Sequence, residues 1–112
     1  MKTYVGIHTN PDHGDLYEVV VEEPGQRSYA LPRRTEVINH SPTGFCWGYN
    51  GSGPAQLALA LLIDYTHSED FAKRWYQQFK SAVIAKLNMR SGWEIPATQI
   101  TEWIIQNTFK EL

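Results

Sequence analysis

From Asn39 to Leu62 the chain reads NHSPTGFCWGYNGSGPAQLALALL. The first half is turn-rich and aromatic, and the second is almost wholly apolar. Gly51-Ser52-Gly53-Pro54 stands at the junction, where glycines permit a tight turn and proline suits the first helical position behind a glycine or serine cap. Ala55 to Ile63 is apolar nearly all round, with Gln56 the exception, which predicts a central, buried helix. In Gly44 to Tyr49, the rings of Phe45, Trp47 and Tyr49 alternate with Cys46 and Gly48. That is the period of an extended segment with three rings on one face. An extended half therefore gives way to a helical half at this junction, and the change decides the fold class.

Working outward, the residues before the junction read as strands. Thr3 to His8 is the first. Asn10 to Asp15 is a turn-rich break, and Leu16 to Glu23 follows with Tyr17, Val19 and Val21 on one face and Glu18 and Glu22 on the other. Pro24-Gly25 suits a type II turn, so Arg27 to Leu31 returns as the hairpin partner until Pro32 ends it. Glu36 to Asn39 is a further extended piece. Beyond the junction, Ser68 to Leu87 reads as a second helix, capped by Ser68 or Thr66, with Glu69 and Asp70 suiting the dipole of its first turn. Its apolar stripe is Phe71, Trp75, Phe79, Ala82, Val83 and Leu87. Trp93 to Ile95 adds a short strand, and Thr98 to about Phe109 a third helix. Strands first and helices later predict an α+β fold. About four strands, mainly antiparallel and from the N-terminal half, are packed by about three helices from the C-terminal half.

The 112 residues suffice for one domain spanning 1–112, and 42% hydrophobic against 20% charged residues is an ordinary globular balance. The net charge of −2 lacks the positive excess that binding to duplex nucleic acid requires. Charge is nevertheless unevenly placed: Asp12, Asp15, Glu18, Glu22 and Glu23 face only Lys2 in the N-terminal stretch. Cys46 is the single cysteine, so no intrachain disulfide forms. The amino terminus lacks a signal-peptide core, and the run Leu57 to Ile63 is too short for a membrane span of about 20 residues. A soluble, cytoplasmic protein is expected.

Residues able to carry chemistry cluster around the junction. A helix start after Gly51-Ser52-Gly53 presents free N–H groups and a partial positive charge, which suits a phosphate or carboxylate. The turn is neither a Walker A loop nor GxGxxG, and Pro54 removes one donor. The competing reading is a tight corner capped by Ser52. His40, between Asn39 and Ser41, can contact a ligand or tie down the turn Ser41-Pro42-Thr43-Gly44; adjacency to Ser41 does not make a nucleophile pair. His8, Asp12, His13 and Asp15 have metal-ligand chemistry, but their spacing matches no strong zinc pattern and reads as a solvated loop. Cys46, opposite the ring face with no adjacent base, reads as a small buried residue. No catalytic residue, metal site or cofactor is predicted.

The stretch resembles the signature of a family of small uncharacterised proteins from bacteria, archaea and their viruses, catalogued as a domain of unknown function. That signature runs NHSPTGFxWGYxGSGP before an Ala/Leu helix. It is matched by Asn39 to Gly44, Phe45, Trp47, Gly48, Tyr49 and Gly51 to Pro54. Cys46 departs from it, since acidic residues are common there. The resemblance implies no known reaction, but implies a home in a phage or other mobile element, where small proteins act by binding. The expectation is non-enzymatic capture of a nucleotide-like or anionic ligand. Gly51, Ser52 and Gly53 would donate N–H groups, and His40 with Arg33 or Arg34 would add polar contacts. Trp47 or Tyr49 would stack on a base, and Asn39 and Ser41 complete the candidate set. The alternative is an anti-defence inhibitor that blocks a protein partner through an aromatic surface, with the motif purely structural. Exposed Trp and Tyr would favour a homodimer.

Overall fold

The computed structural model describes residues 1–10 and 14–109. Among these, the chain forms four strands and three α-helices, the α+β class that the residue pattern predicts. Strands β1 (Thr3–Thr9) and β2 (Leu16–Glu22) pair antiparallel over their full length, with Tyr4 opposite Val21 and Gly6 opposite Val19. The turn expected at Asn10 to Asp15 lies in large part outside the described residues. After the Pro24-Gly25 turn, closed by the Gln26 N–H on the Glu23 carbonyl at 3.0 Å, β3 (Tyr29–Ala30) lies against β2. Helix α1 (Ser52–Thr66) and helix α2 (Glu69–Ala82) follow, then a short 3-10 turn at Ile84–Lys86. Strand β4 (Trp93–Pro96) pairs with the other edge of β1, and α3 (Ala97–Thr108) closes the fold. The antiparallel sheet has the order β3-β2-β1-β4.

Two extended pieces expected from the pattern are not strands. Residues 35–37 form a turn, and residues 44–49 run as irregular loop. Gly44 and Gly48 both take positive φ, +146° and +89°, which breaks the alternation that Phe45, Trp47 and Tyr49 suggested. The three rings consequently part company: Trp47 is fully buried, Phe45 half-buried and Tyr49 exposed. The fourth strand of the sheet is the short one at Trp93.

One sheet face supplies Tyr4, Val19, Val21 and Ile95 to the core. Burying each such side chain contributes about 1.5–3 kcal/mol. Trp93 lies flat on the sheet because Gly6, its register partner, has no side chain; a Cβ there would stand 2.2 Å from the indole. Over this face runs α1, buried continuously from Gly53 to Asp64, as an all-round apolar helix must be. Helix α2 is amphipathic and is capped by Ser68, whose Oγ accepts from the Phe71 N–H at 3.1 Å. Its buried stripe is Ala72, Trp75, Tyr76 and Phe79, so Ala82, expected inside, is exposed where the helix gives way to the 3-10 turn.

Near its C-terminal end α1 carries a buried carboxylate. Asp64 accepts from Tyr4 Oη at 2.7 Å, Tyr29 Oη at 2.8 Å and Lys2 Nζ at 3.1 Å. Burial alone would disfavour its ionised form, but those hydrogen bonds outweigh it and hold the carboxyl below its ordinary value. Burial, reinforced by the bond to Asp64, pushes the Tyr4 phenol far upward. One charged side chain thus ties α1 to two strands of the sheet.

Candidate functional site

Where the loop 41–49, the start of α1 and the N-terminal end of β2 meet, they leave an open groove of about 420 Å³. Ser41, Thr43, Gly44, Phe45 and Cys46 form one wall, Tyr49, Ser52 and Gly53 another, and Asp15, Leu16 and Tyr17 the floor. A smaller recess of about 200 Å³ adjoins it past Thr43, Gly44 and Phe45 and reaches Glu18, Leu31 and Arg33. The groove lies along the half of β2 that β3 leaves unpaired, and the recess runs from there to the Val20–Ala30 pair, since β3 reaches only Val20 and Val21 and the Leu31 N–H bonds to Val19 before Pro32 turns the chain away.

The start of α1 forms part of this groove. Gly51 is the N-cap and no side chain caps the helix, so Ser52 is not the capping residue expected of it; it is exposed in the groove wall. Gly53 is buried against the loop, and a Cβ there would meet Cys46 Cβ at 2.7 Å. Close approach of two backbones therefore requires glycine at this position. Cys46, expected to be buried, is half-buried instead and sits between the phenols of Tyr17 and Tyr49. Burial pushes both phenols above their ordinary value and the Cys46 thiol adds to it, while at Tyr49 the Gly53 N–H opposes the shift. Both groups stay neutral hydroxyls at physiological pH, able to donate and to accept.

A second polar residue of α1 holds the loop in place. Gln56 is fully buried, and all its hydrogen-bonding groups meet backbone. Its Oε1 accepts from the N–H groups of His40 at 2.8 Å and Ser41 at 3.1 Å. Its Nε2 donates to the carbonyls of Arg33 at 2.6 Å and Ile38 at 3.1 Å. A neighbouring strand would ordinarily satisfy such groups; here one amide side chain does so, which is why residues 33–41 fold as a loop.

The candidate residues from the sequence divide accordingly. Ser41, Tyr49, Ser52 and Gly53 line the groove, and Gly51 lies under the Tyr49 ring at its edge. Arg33 borders the adjoining recess and donates to the Pro42 carbonyl at 3.1 Å. Arg34, at φ +61°, pairs instead with Glu36 at 3.4 Å. His40 shares a 2.7 Å hydrogen bond with Tyr76 of α2, and Asn39 is exposed on the loop. Trp47 has no exposed face; it donates to the Ser91 carbonyl at 3.0 Å and meets Tyr17 and Trp93 edge-on. His8 pairs with Asp15 at 2.9 Å, while Asp12 and His13 lie outside the described residues, among which no group of metal-ligating side chains gathers. No helix among the described residues is long and apolar enough to cross a membrane.

The groove and its clamp sit inside a recognisable family region: the model of DUF6166, a family of unknown function, matches residues 12–106. The chain belongs to this family. No curated protein and no solved structure matches it. The DUF6166 match takes in both groove walls, the floor residues and the whole of α1, but not β1.

Tyr17, Thr43 and Phe45 are groove residues that the sequence reading did not single out. Thr43 and Phe45 lie between Asn39 and Leu62, in the stretch that carries the family resemblance; Tyr17 carries no signal beyond its place on a strand face. Gln56 did carry one, as the lone polar residue in an apolar helix.

Proposed function

We propose that this DUF6166 protein is a non-enzymatic binding protein that captures a small, ring-bearing ligand of nucleotide-like chemistry in the groove beside α1. The observation that carries the reading is the groove itself. Its volume of about 420 Å³ falls in the range of small-molecule sites, roughly 300–1,000 Å³. Its lining combines hydroxyls from Ser41, Thr43 and Ser52 with the rings of Tyr17, Phe45 and Tyr49. Tyr49, 42% exposed, takes the stacking role that buried Trp47 cannot fill. The uncapped first turn of α1 favours an anionic group beside Ser52, and Arg33 at the adjoining recess would meet a second one. Asp15 in the floor opposes dense negative charge there, which favours a ligand with a ring and one anionic group.

The reading as an inhibitor acting through an aromatic surface finds less support. Trp47, Trp75 and Trp103 are buried. The exposed rings are dispersed: Tyr49 stands by the Gly51 end of α1 and Tyr29 by its Asp64 end, about 20 Å apart along the helix axis at 1.5 Å per residue, and Phe109 follows the end of α3.

Native mass spectrometry with a panel of linear and cyclic nucleotides tests capture, with Ser52→Asp as the discriminating variant. Gly53→Ala is unsuitable because its Cβ collides with Cys46. An aspartate at position 52 adds a favourable first-turn charge, worth about 0.3–1 kcal/mol to the helix, yet repels an anion. The expected result is a phosphate-bearing adduct on the wild type that disappears in Ser52→Asp while thermal stability is kept or rises. A spectrum free of adducts across the panel, or an adduct that persists in Ser52→Asp, refutes the reading.

A further inference from the structure

Helices cover one face of the sheet only: Tyr4, Val19, Val21 and Ile95 enter the core, and their alternating neighbours point the other way. The pairing register sets out that second face. Val5 lies between Glu94 and Val20, Ile7 stands opposite Glu18, Thr3 opposite Glu22, and Ala30 beside Val20. A solvated face of an antiparallel sheet normally alternates to polar residues. The middle of the two central strands instead carries Val5, Ile7 and Val20, none of which joins the core cluster. Ile7 is 38% exposed, and Leu16, on the same face of β2, 52%. Single apolar residues on a surface are ordinary, but these are neighbours by register.

Charge then narrows what fits there. Glu18, Glu22 and Glu94 surround the apolar centre, all exposed and without an ion-pair partner among the described residues. No lysine or arginine lies on any of the four strands. The acidic excess of the N-terminal stretch is thus in part gathered on this face. A second copy would set glutamates against glutamates, and a phosphate backbone or an anionic lipid surface would be repelled. A cationic segment with an apolar ridge is complementary in both respects.

We propose that the open sheet face docks a cationic amphipathic segment of a partner protein, its apolar ridge on Val5, Ile7 and Val20 and its lysines or arginines against Glu18, Glu22 and Glu94. The surface meets the groove region along one edge, where Leu16 belongs to the groove floor and Glu18 and Val20 line the adjoining recess, but Val5, Ile7, Glu22 and Glu94 border neither cavity, so shifts on β1 and β4 are read independently of ligand capture.

The test titrates isotope-labelled wild-type protein with a synthetic helical peptide of leucine and lysine bearing one leucine stripe. A counterpart with glutamate in place of lysine serves as the control. Saturable binding of the lysine peptide is expected, with amide shifts gathered on β1, β2 and β4. Glu18→Lys, Glu22→Lys and Glu94→Lys together, or raised salt with the wild type, weaken it roughly tenfold or more. Ile7→Thr, which keeps β-branching, weakens binding without changing the salt dependence. Shifts gathered elsewhere, equal binding of the glutamate peptide, no binding at all, or self-association through the same amides overturns the proposal. The salt series and shift map need no variant to fold.

Discussion

Helix α1 buries one polar side chain near each end, and the two are satisfied in opposite ways. Gln56 meets only backbone: two N–H groups and two carbonyls of a single loop. Asp64 meets only side chains: two phenols and an ammonium from the first strand, the residue before it and the third strand. A neutral amide can match donors and acceptors at once, so it can replace a missing strand partner. A carboxylate only accepts, so it gathers donors, and its charge makes the junction sensitive to pH. One end of the helix therefore shapes the loop that walls the groove, and the other fastens the sheet.

The contrast can be broken most forcefully at Gln56. Gln56→Leu leaves two N–H groups and two carbonyls without partners, and should cost about 4 kcal/mol in denaturant unfolding, at about 1 kcal/mol or more for each. Hydrogen exchange at His40 and Ser41 should accelerate selectively. A loss below about 1 kcal/mol would show that the loop does not depend on this amide.

Asp64→Asn is the matching probe at the other end. It retains an acceptor but removes the charge facing Lys2, for an expected loss of about 2 kcal/mol near neutral pH. Since the carboxyl is held below its ordinary value of 3.8, its contribution is full above that value and is lost as pH falls through the depressed folded value. The stability gap between wild type and Asp64→Asn should accordingly close on acidification below 3.8. The cost of Gln56→Leu should not vary over the same range. A gap at Asp64 that is independent of pH would remove the distinction between the two ends.

The smallest effect sharpens the loop end. Tyr76→Phe deletes the hydroxyl bonded to His40 and should cost about 1 kcal/mol, since the ring packing survives. If His40 served a ligand rather than the loop, ligand capture would fall with no loss of stability.

How much of this was legible beforehand depends on the range of the interaction. The hairpin of β2 with β3, the Ser68 cap and all three helices follow from periodicity and turn chemistry, which act over a few residues. Residues 44–49 form a loop although the alternation of Phe45, Trp47 and Tyr49 fits a strand locally, because Gly44 and Gly48 at positive φ do not. A glycine or a serine suits the cap of α1 by sequence; Gly51 holds that position and leaves the Ser52 hydroxyl in the groove.

By itself the sequence determined the α+β class, the buried helix at its centre and the junction at Gly51 to Pro54 where that helix begins. Burial of an all-round apolar helix and strand alternation are consequences of local pattern and water. Only the tertiary structure decided that Trp47 is sealed in the core, that Tyr17 and Tyr49 flank Cys46, and that Gln56 and Asp64 are clamps. The bonds of the two clamps join residues 15 to 62 positions apart, and a side chain's partner at that range is set by how the layers pack.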